Sequence, residues 1–301
     1  MTSRFGVLVA QSCSWVDLKR HGGDIEAAGF HSLWIADQFA NPFGDSEWLE
    51  GWSALAGLAL TTNTIRLGTL VTTIVYRHPA VIAKQAITVD HMSNGRLNLG
   101  IGAGGAPTDH LMTGTPFWSG AERQRRFSEF VRVVEQLTSQ QRSSFHGQHF
   151  TCEEAYISPL PIQRPRIPLL VAAHGPRSLQ LAAEHADTWS LYEPGTGLKG
   201  KEAADAIRRM NAFVDEKARA AGRDPSAITR SLCCGFSAST AWRSLDEALF
   251  AIELFEQAGV DEFILTYSPT DDFVGTTKDI EVSVLLRNPD DLRNFAGAVL
   301  A

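Results

Sequence analysis

One short turn carries the donors of an anion-binding site. Residues 174–178 (HGPRS) follow a predicted strand and lead directly into a predicted helix. Gly175, Arg177 and Ser178 would offer backbone N–H groups at the helix N-terminus, where the helix dipole attracts negative charge. The Arg177 guanidinium and the Ser178 hydroxyl add further donors, so a phosphate group would fit. The alternative is an ordinary capped turn with Arg177 in solvent, because serine at a helix start is more often a cap.

A second polar pair follows a strand nearer the N-terminus. Asp37 and Gln38 come directly after the predicted strand at residues 32–36. The Asp37 carboxylate can accept a hydrogen bond from a cofactor ring or a substrate, or it can cap the local turn. The Gln38 amide offers both a donor and an acceptor to a ligand. The residues alone leave both roles of Asp37 open.

Other catalytic chemistry is poorly represented. His146 and His149 have the spacing of a metal-ligand pair, but they lie in an irregular insertion, and we predict no metal site. Cys233 and Cys234 are typical of a strand interior more than of activated thiols. Strand ends that are poor in catalytic side chains and rich in glycine and threonine favour a bound cofactor that supplies the reactivity.

The elements that position these groups follow a strand–helix alternation that is clearest at residues 65–109. Residues 65–71 are apolar and bounded by turn residues, which is typical of a strand buried on both faces. A helix begins at Pro79, and the next strand covers residues 96–101. The exit of that strand is glycine-rich (residues 100–105), which indicates either a β-bulge or a flat ligand against the backbone.

Eight such strands can be counted along the chain. They lie at residues 5–10, 32–36, 65–71, 96–101, 168–173, 188–192, 228–236 and 262–267. Two of the connecting helices begin at capping boxes, Ser119-x-x-Glu122 and Ser244-x-x-Glu247. Residues 106–118 are predicted to be irregular, and residues 145–167 form a hairpin-like insertion after the fourth helix. The pattern predicts an α/β fold, a (β/α)8 TIM barrel with that insertion, in a single domain over residues 1–301.

Composition narrows the class of protein. The 301 residues carry a net charge of −7 and show no basic stripe, so nucleic acid and anionic membranes are not expected partners. The four cysteines contain no C-x-x-C spacing and indicate reduced thiols. No segment has the length of a membrane span or the pattern of a signal peptide, and we therefore predict a cytoplasmic protein.

Three segments resemble the luciferase-like family of flavin- and deazaflavin-dependent oxidoreductases. They are residues 67–104 (LGTLVTTIVYRHPAVIAKQAITVDHMSNGRLNLGIGAG), residues 145–190 (FHGQHFTCEEAYISPLPIQRPRIPLLVAAHGPRSLQLAAEHADTWS) and residues 258–265 (AGVDEFIL). The resemblance covers nearly the whole chain. It implies a TIM barrel with an isoalloxazine-type ring across the barrel mouth, belonging to FMN or to coenzyme F420.

The resemblance also assigns roles to individual residues. It places a non-prolyl cis peptide bond between Leu70 and Val71, in a bulge at the exit of the third strand. The phosphate site of the family corresponds to residues 175–178, which favours the functional role of that turn. The predicted cofactor-binding residues are Asp37, Leu70, Val71, Thr72, Thr73, Gly104, Gly175, Pro176, Arg177 and Ser178.

Two departures from the family pattern bear on catalysis. Many members have a histidine after the strand-two acid, where this chain has Gln38. The sugar-phosphate dehydrogenases of the family have a glutamate where this chain has Gly105, and both differences argue against that activity. The predicted catalytic residues are Gln38, His110 and Tyr192, with Asp109 or water as alternative routes for a proton.

The sequence therefore predicts an oxidoreductase or monooxygenase. It would use reduced FMN or F420 to transfer hydride or oxygen to a small organic substrate, and the compact length favours F420 by family analogy. A flavin-binding carrier without catalysis is the alternative. We expect a homodimer, and a separate flavin or F420 reductase is a candidate partner. The choice of substrate is expected to depend on residues 39–50, 106–119 and 268–288.

Overall fold

Eight parallel strands close into a barrel in the computed structural model, which describes residues 3–41, 44–269, 276–277, 280–281 and 285–300. The strands in chain order are β1 (Arg4–Val9), β2 (Ser32–Asp37), β3 (Arg66–Thr73), β4 (Leu97–Gly102), β5 (Arg142–His146), β6 (Thr151–Tyr156), β7 (Leu169–Ala172), β8 (Thr188–Leu191), β9 (Thr229–Cys233), β10 (Glu262–Tyr267), β11 (Thr276–Thr277) and β12 (Ile280–Glu281). The barrel order is β1-β10-β9-β8-β7-β4-β3-β2. The predicted (β/α)8 TIM barrel is therefore confirmed. Two segments that are expected to shape the substrate site extend beyond the described residues. Residues 42–43 of segment 39–50 lie outside them, and so do residues 270–275, 278–279 and 282–284 of segment 268–288.

Helices connect the barrel strands and cover the outside of the barrel. They are α1 (Trp15–Ala27), α2 (Gly51–Thr61), α3 (Pro79–Met92), α4 (Pro107–Thr113), α5 (Gly120–Ser139), α6 (Pro176–His185), α7 (Gly200–Ala220), α8 (Leu245–Glu256) and α9 (Pro289–Val299), with a 3-10 turn at Pro225–Ala227. None of them, within the described ranges, is long and apolar enough to cross a membrane.

Both predicted serine caps form, but the reciprocal half of each capping box does not. The Ser119 hydroxyl accepts from the Glu122 N–H (3.3 Å), and the Ser244 hydroxyl accepts from the Glu247 N–H (3.2 Å). The Glu122 carboxylate instead pairs with two arginines of its own helix, and the Glu247 carboxylate accepts from the N–H of Arg243. The caps satisfy one orphan donor of each helix start.

The insertion lies where the sequence predicts it. It follows the predicted fourth helix, which is α5 in the structure because the short α4 precedes it, and it ends before β7. Strands β5 and β6 form an antiparallel hairpin. Glu129 of α5 accepts hydrogen bonds from the backbone N–H groups of Gln148, His149 and Phe150, at 3.0, 2.8 and 3.1 Å. Burial would raise the pKa of Glu129, but these three donors hold it below its usual range. The hairpin is thus tied to the outside of the barrel by an ionised side chain.

The prediction that residues 106–118 are irregular is wrong for half of that segment. Residues Pro107–Thr113 form α4. Pro107 occupies the first turn, where its missing N–H costs nothing, and Asp109 lies near the positive end of the helix dipole. Gly114 ends the helix in the left-handed conformation (φ 68°). The apolar side chains Leu111 and Met112 are adjacent and form no stripe, so the seven residues gave no periodic signal and only these end signals could have revealed the helix.

The barrel interior is packed with side chains. Leu8, Trp34, Leu170, Cys233 and Ile264 form one buried cluster inside the strands, and a larger core lies between the strands and the helices. The Trp34 indole N–H donates to the Ser32 hydroxyl (2.8 Å) within this interior. Because the interior is filled, ligand sites in this fold belong to the ends of the barrel.

Candidate functional site

The carboxyl end of β3 is the most irregular part of the barrel. The β2–β3 register shifts between Ile35 and Asp37, and the β3–β4 register shifts between Gly68 and Thr72. The peptide bond between Leu70 and Val71 is cis, at the position that the family resemblance implies. Both side chains are half-buried at the barrel mouth. The bulge therefore presents an apolar surface to any ligand in the mouth.

The glycines of β4 leave room for this bulge. A Cβ atom at Gly102 would lie 2.3 Å from the Val71 side chain, and one at Gly104 would lie 2.3 Å from the Thr73 hydroxyl. Gly104 also has a positive φ of 69°, which disfavours side chains. Gly105 differs, because the nearest atom to its added Cβ, on Arg123, is 4.0 Å away. Of the two explanations for this glycine-rich exit, packing against the bulge accounts for Gly102, and packing against Thr73 at the end of β3 accounts for Gly104.

A chain of three charged groups lies beside the bulge. Arg77, in the loop after β3, donates to the Asp37 carboxylate at 2.7 Å and to the Glu50 carboxylate at 2.6 Å. Glu50 in turn caps α2 by accepting from the N–H groups of Trp52 (3.2 Å) and Ser53 (2.7 Å). Asp37 therefore binds an arginine and is not the turn cap that the sequence left open.

Asp37 keeps one oxygen without a partner. Only 1% of the residue is exposed, and its Oδ1 atom has no hydrogen-bond partner among the described residues. The hydroxyl of Thr72, its neighbour in the β2–β3 register, donates to Thr69 (3.0 Å). Burial raises the pKa of Asp37 to about 6, although the Arg77 charge opposes the shift. A buried carboxyl oxygen without a donor is a group ready to bind a ligand.

A second hydrogen-bonded pair links the mouth to α4. The Tyr76 hydroxyl donates to the Asp109 carboxylate and accepts from the Phe39 N–H (3.2 Å). The Phe39 and Tyr76 rings stack with centroids 3.7 Å apart, and Arg77 lies within 6 Å of both ring centroids. Burial raises the pKa of both Tyr76 and Asp109. These contacts join the exits of β2 and β3 to α4, which follows β4.

His110 has one hydrogen-bonded ring nitrogen and, among the described residues, one without a partner. Its Nδ1 atom lies 2.9 Å from the carbonyl oxygen of Pro116, so Nδ1 carries the proton. Its Nε2 atom is buried and lacks a partner in the part of the chain that the structure describes. The rings of Phe117 and Trp118 pack edge-on against the imidazole, at 4.8 and 5.2 Å between centroids. The free nitrogen can accept a proton or a hydrogen bond.

The predicted phosphate turn has a more limited donor set than the sequence suggests. The Ser178 hydroxyl donates to the Gly175 carbonyl oxygen (2.9 Å) and accepts from the His174 N–H (3.3 Å), so it closes the turn. Gly175, Pro176 and Arg177 are exposed. The first intrahelical bond starts at Leu179, which leaves the N–H groups of Arg177 and Ser178 at the open end of α6. Arg177 and these two N–H groups remain available to an anion.

His174 and Tyr192 pack together at the ends of β7 and β8. Their ring centroids are 4.4 Å apart, and the Tyr192 N–H donates to the His174 Nε2 atom (3.4 Å). Burial lowers the pKa of His174 to about 4, so its ring is neutral near pH 7. Burial also raises the pKa of Tyr192, and the neighbouring Glu193 adds to the effect. Tyr192 is 38% exposed and can reach a ligand in the mouth as a neutral phenol.

The predicted catalytic residues lie at separate places around the mouth. Gln38 follows β2, and Tyr192 follows β8, which lies on the opposite side of the barrel ring. The Gln38 carbonyl oxygen accepts from the Trp48 indole (2.9 Å). His110 lies on α4. These residues therefore lie on the same face of the barrel, and within the described residues no hydrogen bond or ring contact joins them.

The described residues contain no group of three or more metal-ligating side chains. His146 instead faces the Glu153 carboxylate (3.4 Å), and His149 faces the Glu122 carboxylate (3.6 Å). Both histidines belong to the hairpin insertion and its contact with α5, away from the strand ends of the barrel. The sequence pattern of the pair is explained by these contacts.

Sequence reasoning missed the residues that hold Asp37 and Asp109. Arg77 and Tyr76 stand immediately before His78-Pro79, where α3 begins, so their place at the barrel mouth could have been inferred. Their partners could not, because Asp37 is 40 residues away from Arg77 and Asp109 is 33 residues away from Tyr76. Glu50 gave only the weak signal of an acid before a helix.

Taken together, the fold and the mouth define a TIM barrel whose ligand site is built from strand ends and carries few catalytic side chains. Residues 2–281 match the model of the luciferase-like monooxygenase family. The chain belongs to this family, and the family prediction is confirmed.

Several known proteins are similar to this chain. An F420-dependent hydroxymycolic acid dehydrogenase of Mycobacterium tuberculosis is 33% identical over 70% of the chain and 56% of its own length. Pyrimidine monooxygenase RutA of Acinetobacter baylyi is 31% identical over 57% of the chain and 46% of its own length. The chain thus aligns with only about half of each of these relatives. The structure of the coenzyme F420-dependent tetrahydromethanopterin reductase from Methanopyrus kandleri has a TM-score of 0.79 at 19% identity, over 100% of this chain and 99% of that one.

The environment of Asp37 predicts a specific pH dependence of stability. Its pKa of about 6 in the folded protein exceeds the usual value of about 3.9 in an unfolded chain. Between these values the folded state binds more protons, so stability falls as pH rises. Asp37→Asn removes this loss. The free energy of unfolding of the Asp37→Asn variant, minus that of wild type, should therefore increase by about 2–3 kcal/mol between about pH 4 and pH 6.

Urea unfolding across that pH range measures the effect. Asp45→Asn is the matched control, because Asp45 is exposed. If both variants show the same pH dependence, the raised pKa of Asp37 is wrong.

Proposed function

We propose that this protein is an oxidoreductase, one barrel domain over residues 1–301, that binds a reduced flavin-type cofactor in the mouth and acts on a small organic substrate. The observation that carries the proposal is the buried Asp37, whose Oδ1 atom has no partner among the described residues, beside the half-buried bulge of Leu70 and Val71. A flat ring with polar edges needs both an apolar surface and an acceptor for its N–H or hydroxyl groups. Family membership supports the same conclusion.

The residues of the mouth fit such a cofactor. Leu70, Val71, Thr72 and Thr73 would lie behind the ring, and Asp37 would accept from its edge. Arg177 and the N–H groups at the start of α6 would hold a phosphate, because Arg177 is an exposed cation at an open helix N-terminus. Ser178 would contribute its N–H more than its hydroxyl, because the hydroxyl closes the turn.

The bound cofactor would supply a hydride or, with O₂, an oxygen atom for transfer to the substrate. The chain's own residues would orient the ring, exclude water and manage protons. Arg77 holds the Asp37 carboxylate in one orientation, so that Oδ1 stays directed away from the ion pair. Such preorganisation limits the reorganisation needed when a ligand binds.

Proton transfer is proposed for His110, and Gln38 and Tyr192 are proposed to position the substrate. The free Nε2 atom of His110 can take up or release a proton, whereas the Gln38 amide can only donate and accept hydrogen bonds. The raised pKa of Tyr192 keeps its phenol protonated, so it serves as a donor. With Gly105 and Gln38 in place of acidic and basic groups, the substrate would not be a sugar phosphate.

Coenzyme F420 is the cofactor that we favour, with FMN as the second candidate. The names of two of the similar proteins, the M. tuberculosis dehydrogenase and the M. kandleri reductase, state F420 dependence. The monooxygenase relative keeps the oxygen-transfer activity open.

Removal of the phosphate donors should weaken cofactor binding. In Arg177→Ala combined with Ser178→Ala, the dissociation constant for the preferred cofactor should rise about 10- to 100-fold, through loss of charge-assisted bonds and a less stable turn. Parallel fluorescence titrations with F420 and FMN measure this change and identify the cofactor.

The matched control uses ligands without phosphate. Riboflavin, or the deazaflavin chromophore of F420 alone, should bind the double variant as it binds wild type. Equal weakening for both kinds of ligand would mean that the turn acts on overall folding and does not bind phosphate.

Turnover distinguishes an enzyme from a cofactor carrier. We propose that a separate flavin or F420 reductase supplies reduced cofactor, so the assay couples the full chain to such a reductase. Cofactor reoxidation should then accelerate when small ketones are added without air, as hydride acceptors, or when small ketones or aromatic compounds are added with air, for oxygen transfer. Tight binding without acceleration by any compound would favour the carrier.

We further propose that the protein forms a homodimer through the outer faces of α1, α2 and α3. Val16, Leu60 and Val81 lie on these neighbouring helices and are 73%, 68% and 48% exposed.

Val16→Glu with Leu60→Glu should shift the protein to monomer in sedimentation velocity, because charges at an apolar interface disfavour association. Phe250→Glu on α8, where Phe250 is 71% exposed, is the control and should leave the dimer intact. A wild-type monomer at every concentration would contradict the proposal.

A further inference from the structure

A polar cavity lies at the amino end of the barrel, opposite the mouth. Its volume is about 390 Å³, which lies within the range of small-molecule sites. The first residues of six barrel strands line it: Arg4, Arg66, Leu169, Thr188, Thr229 and Glu262. Trp34 and Leu170, from the buried interior cluster, form its apolar floor.

Two arginines of this cavity lack an ion-pair partner. Arg4 donates to the Thr229 hydroxyl (2.7 Å). The donors of Arg66 reach neutral oxygens, including the side chains of Asn98 (2.6 Å) and Gln163 (3.0 Å). Neither guanidinium has a carboxylate within 4.0 Å in the described part of the chain, whereas Arg166 pairs with Asp187 and Arg230 pairs with Asp215.

The acidic residues of the cavity do not cancel these charges. Asp187 is already paired with Arg166. Glu262 is 4% exposed and accepts from the Ser32 hydroxyl (3.3 Å). Burial raises the pKa of Glu262, and burial together with the two arginine charges lowers the pKa of His31, which also lines the cavity. With Glu262 ionised and His31 neutral, the two arginines leave a net positive charge.

We propose that this cavity binds a small oxyanion that also carries a hydroxyl group. The anionic oxygens would accept from Arg4 and Arg66, which present unpaired guanidinium donors. The hydroxyl would donate to the Glu262 carboxylate, which has acceptor oxygens and no donor of its own when it is ionised. Hydrogen phosphate has both features, and a small hydroxycarboxylate shares them. An anion without a hydrogen would place its own charge against Glu262.

Calorimetric titration of the full chain at about pH 8, well above the ordinary titration range of glutamate, tests the proposal. Inorganic phosphate should bind, and sulfate should bind at least about tenfold more weakly, because sulfate has no proton to donate to Glu262. Arg4→Gln and Arg66→Lys should each weaken phosphate binding about tenfold or more. Glu262→Gln should remove the preference for phosphate over sulfate.

Three controls keep the result interpretable. Arg20→Gln changes an exposed arginine of α1 that pairs with Asp17, and it should leave phosphate binding unchanged. Arg177→Ala reports on the proposed phosphate turn at the mouth, which lies at the other end of the barrel. Thermal unfolding of each variant checks folding. Arg4 makes one side-chain hydrogen bond to the described residues, so Arg4→Gln is the variant least prone to unfold.

Two outcomes would overturn the site. The first is wild-type protein that binds neither anion. The second is phosphate binding that is lost in Arg177→Ala and retained in Arg4→Gln and Arg66→Lys, since the anion would then occupy the mouth. Binding that depends on Arg4, Arg66 and Glu262, and not on Arg177, supports it.

Discussion

The mouth of this barrel depends on the ion pair between Arg77 and the buried Asp37. A carboxylate that is 1% exposed would be protonated or expelled without a nearby cation. Arg77 reaches it from the loop after β3 and is itself held by Glu50, the cap of α2. Strand β2, the β3 bulge and the start of α2 are therefore fixed relative to one another by three charges. Because Arg77 occupies only Oδ2, the opposing oxygen remains for a ligand.

The two ends of the barrel differ in the balance of charge around their buried carboxylates. At the mouth, one arginine lies between two carboxylates, and the local balance is negative or neutral. At the amino end, two arginines face one buried carboxylate, Glu262, and the balance is positive. A packed interior with Trp34 and Leu170 separates the two ends, so a ligand at one end has no direct contact with a ligand at the other. The chain can thus carry two sites of opposite character on one set of strands.

The fold was predictable because each barrel strand is a short apolar run between turn residues, and each long helix has one apolar face. Helix α4 was not, since its seven residues have no such face. The site was predictable only where function follows from position along the chain, as for Asp37 at a strand end. The partners Arg77 and Tyr76 depend on how β2, β3 and α4 meet in space. The Ser178 hydroxyl donates to the Gly175 carbonyl oxygen. The sequence did not predict this bond, because a serine at a helix start can direct its hydroxyl either into the turn or towards a ligand.

Gly105 has a consequence for how this barrel can change its chemistry. Gly102 and Gly104 have no room for a side chain, because Val71 of the β3 bulge lies against Gly102 and Thr73 lies against Gly104. Gly105 lies one residue further on, in open space, with the Arg123 guanidinium as its nearest neighbour at 4.0 Å from an added Cβ. An acidic side chain there would find both room and a counter-charge. One substitution at this position could therefore add an acidic group at the mouth without disturbing the backbone that holds the mouth together.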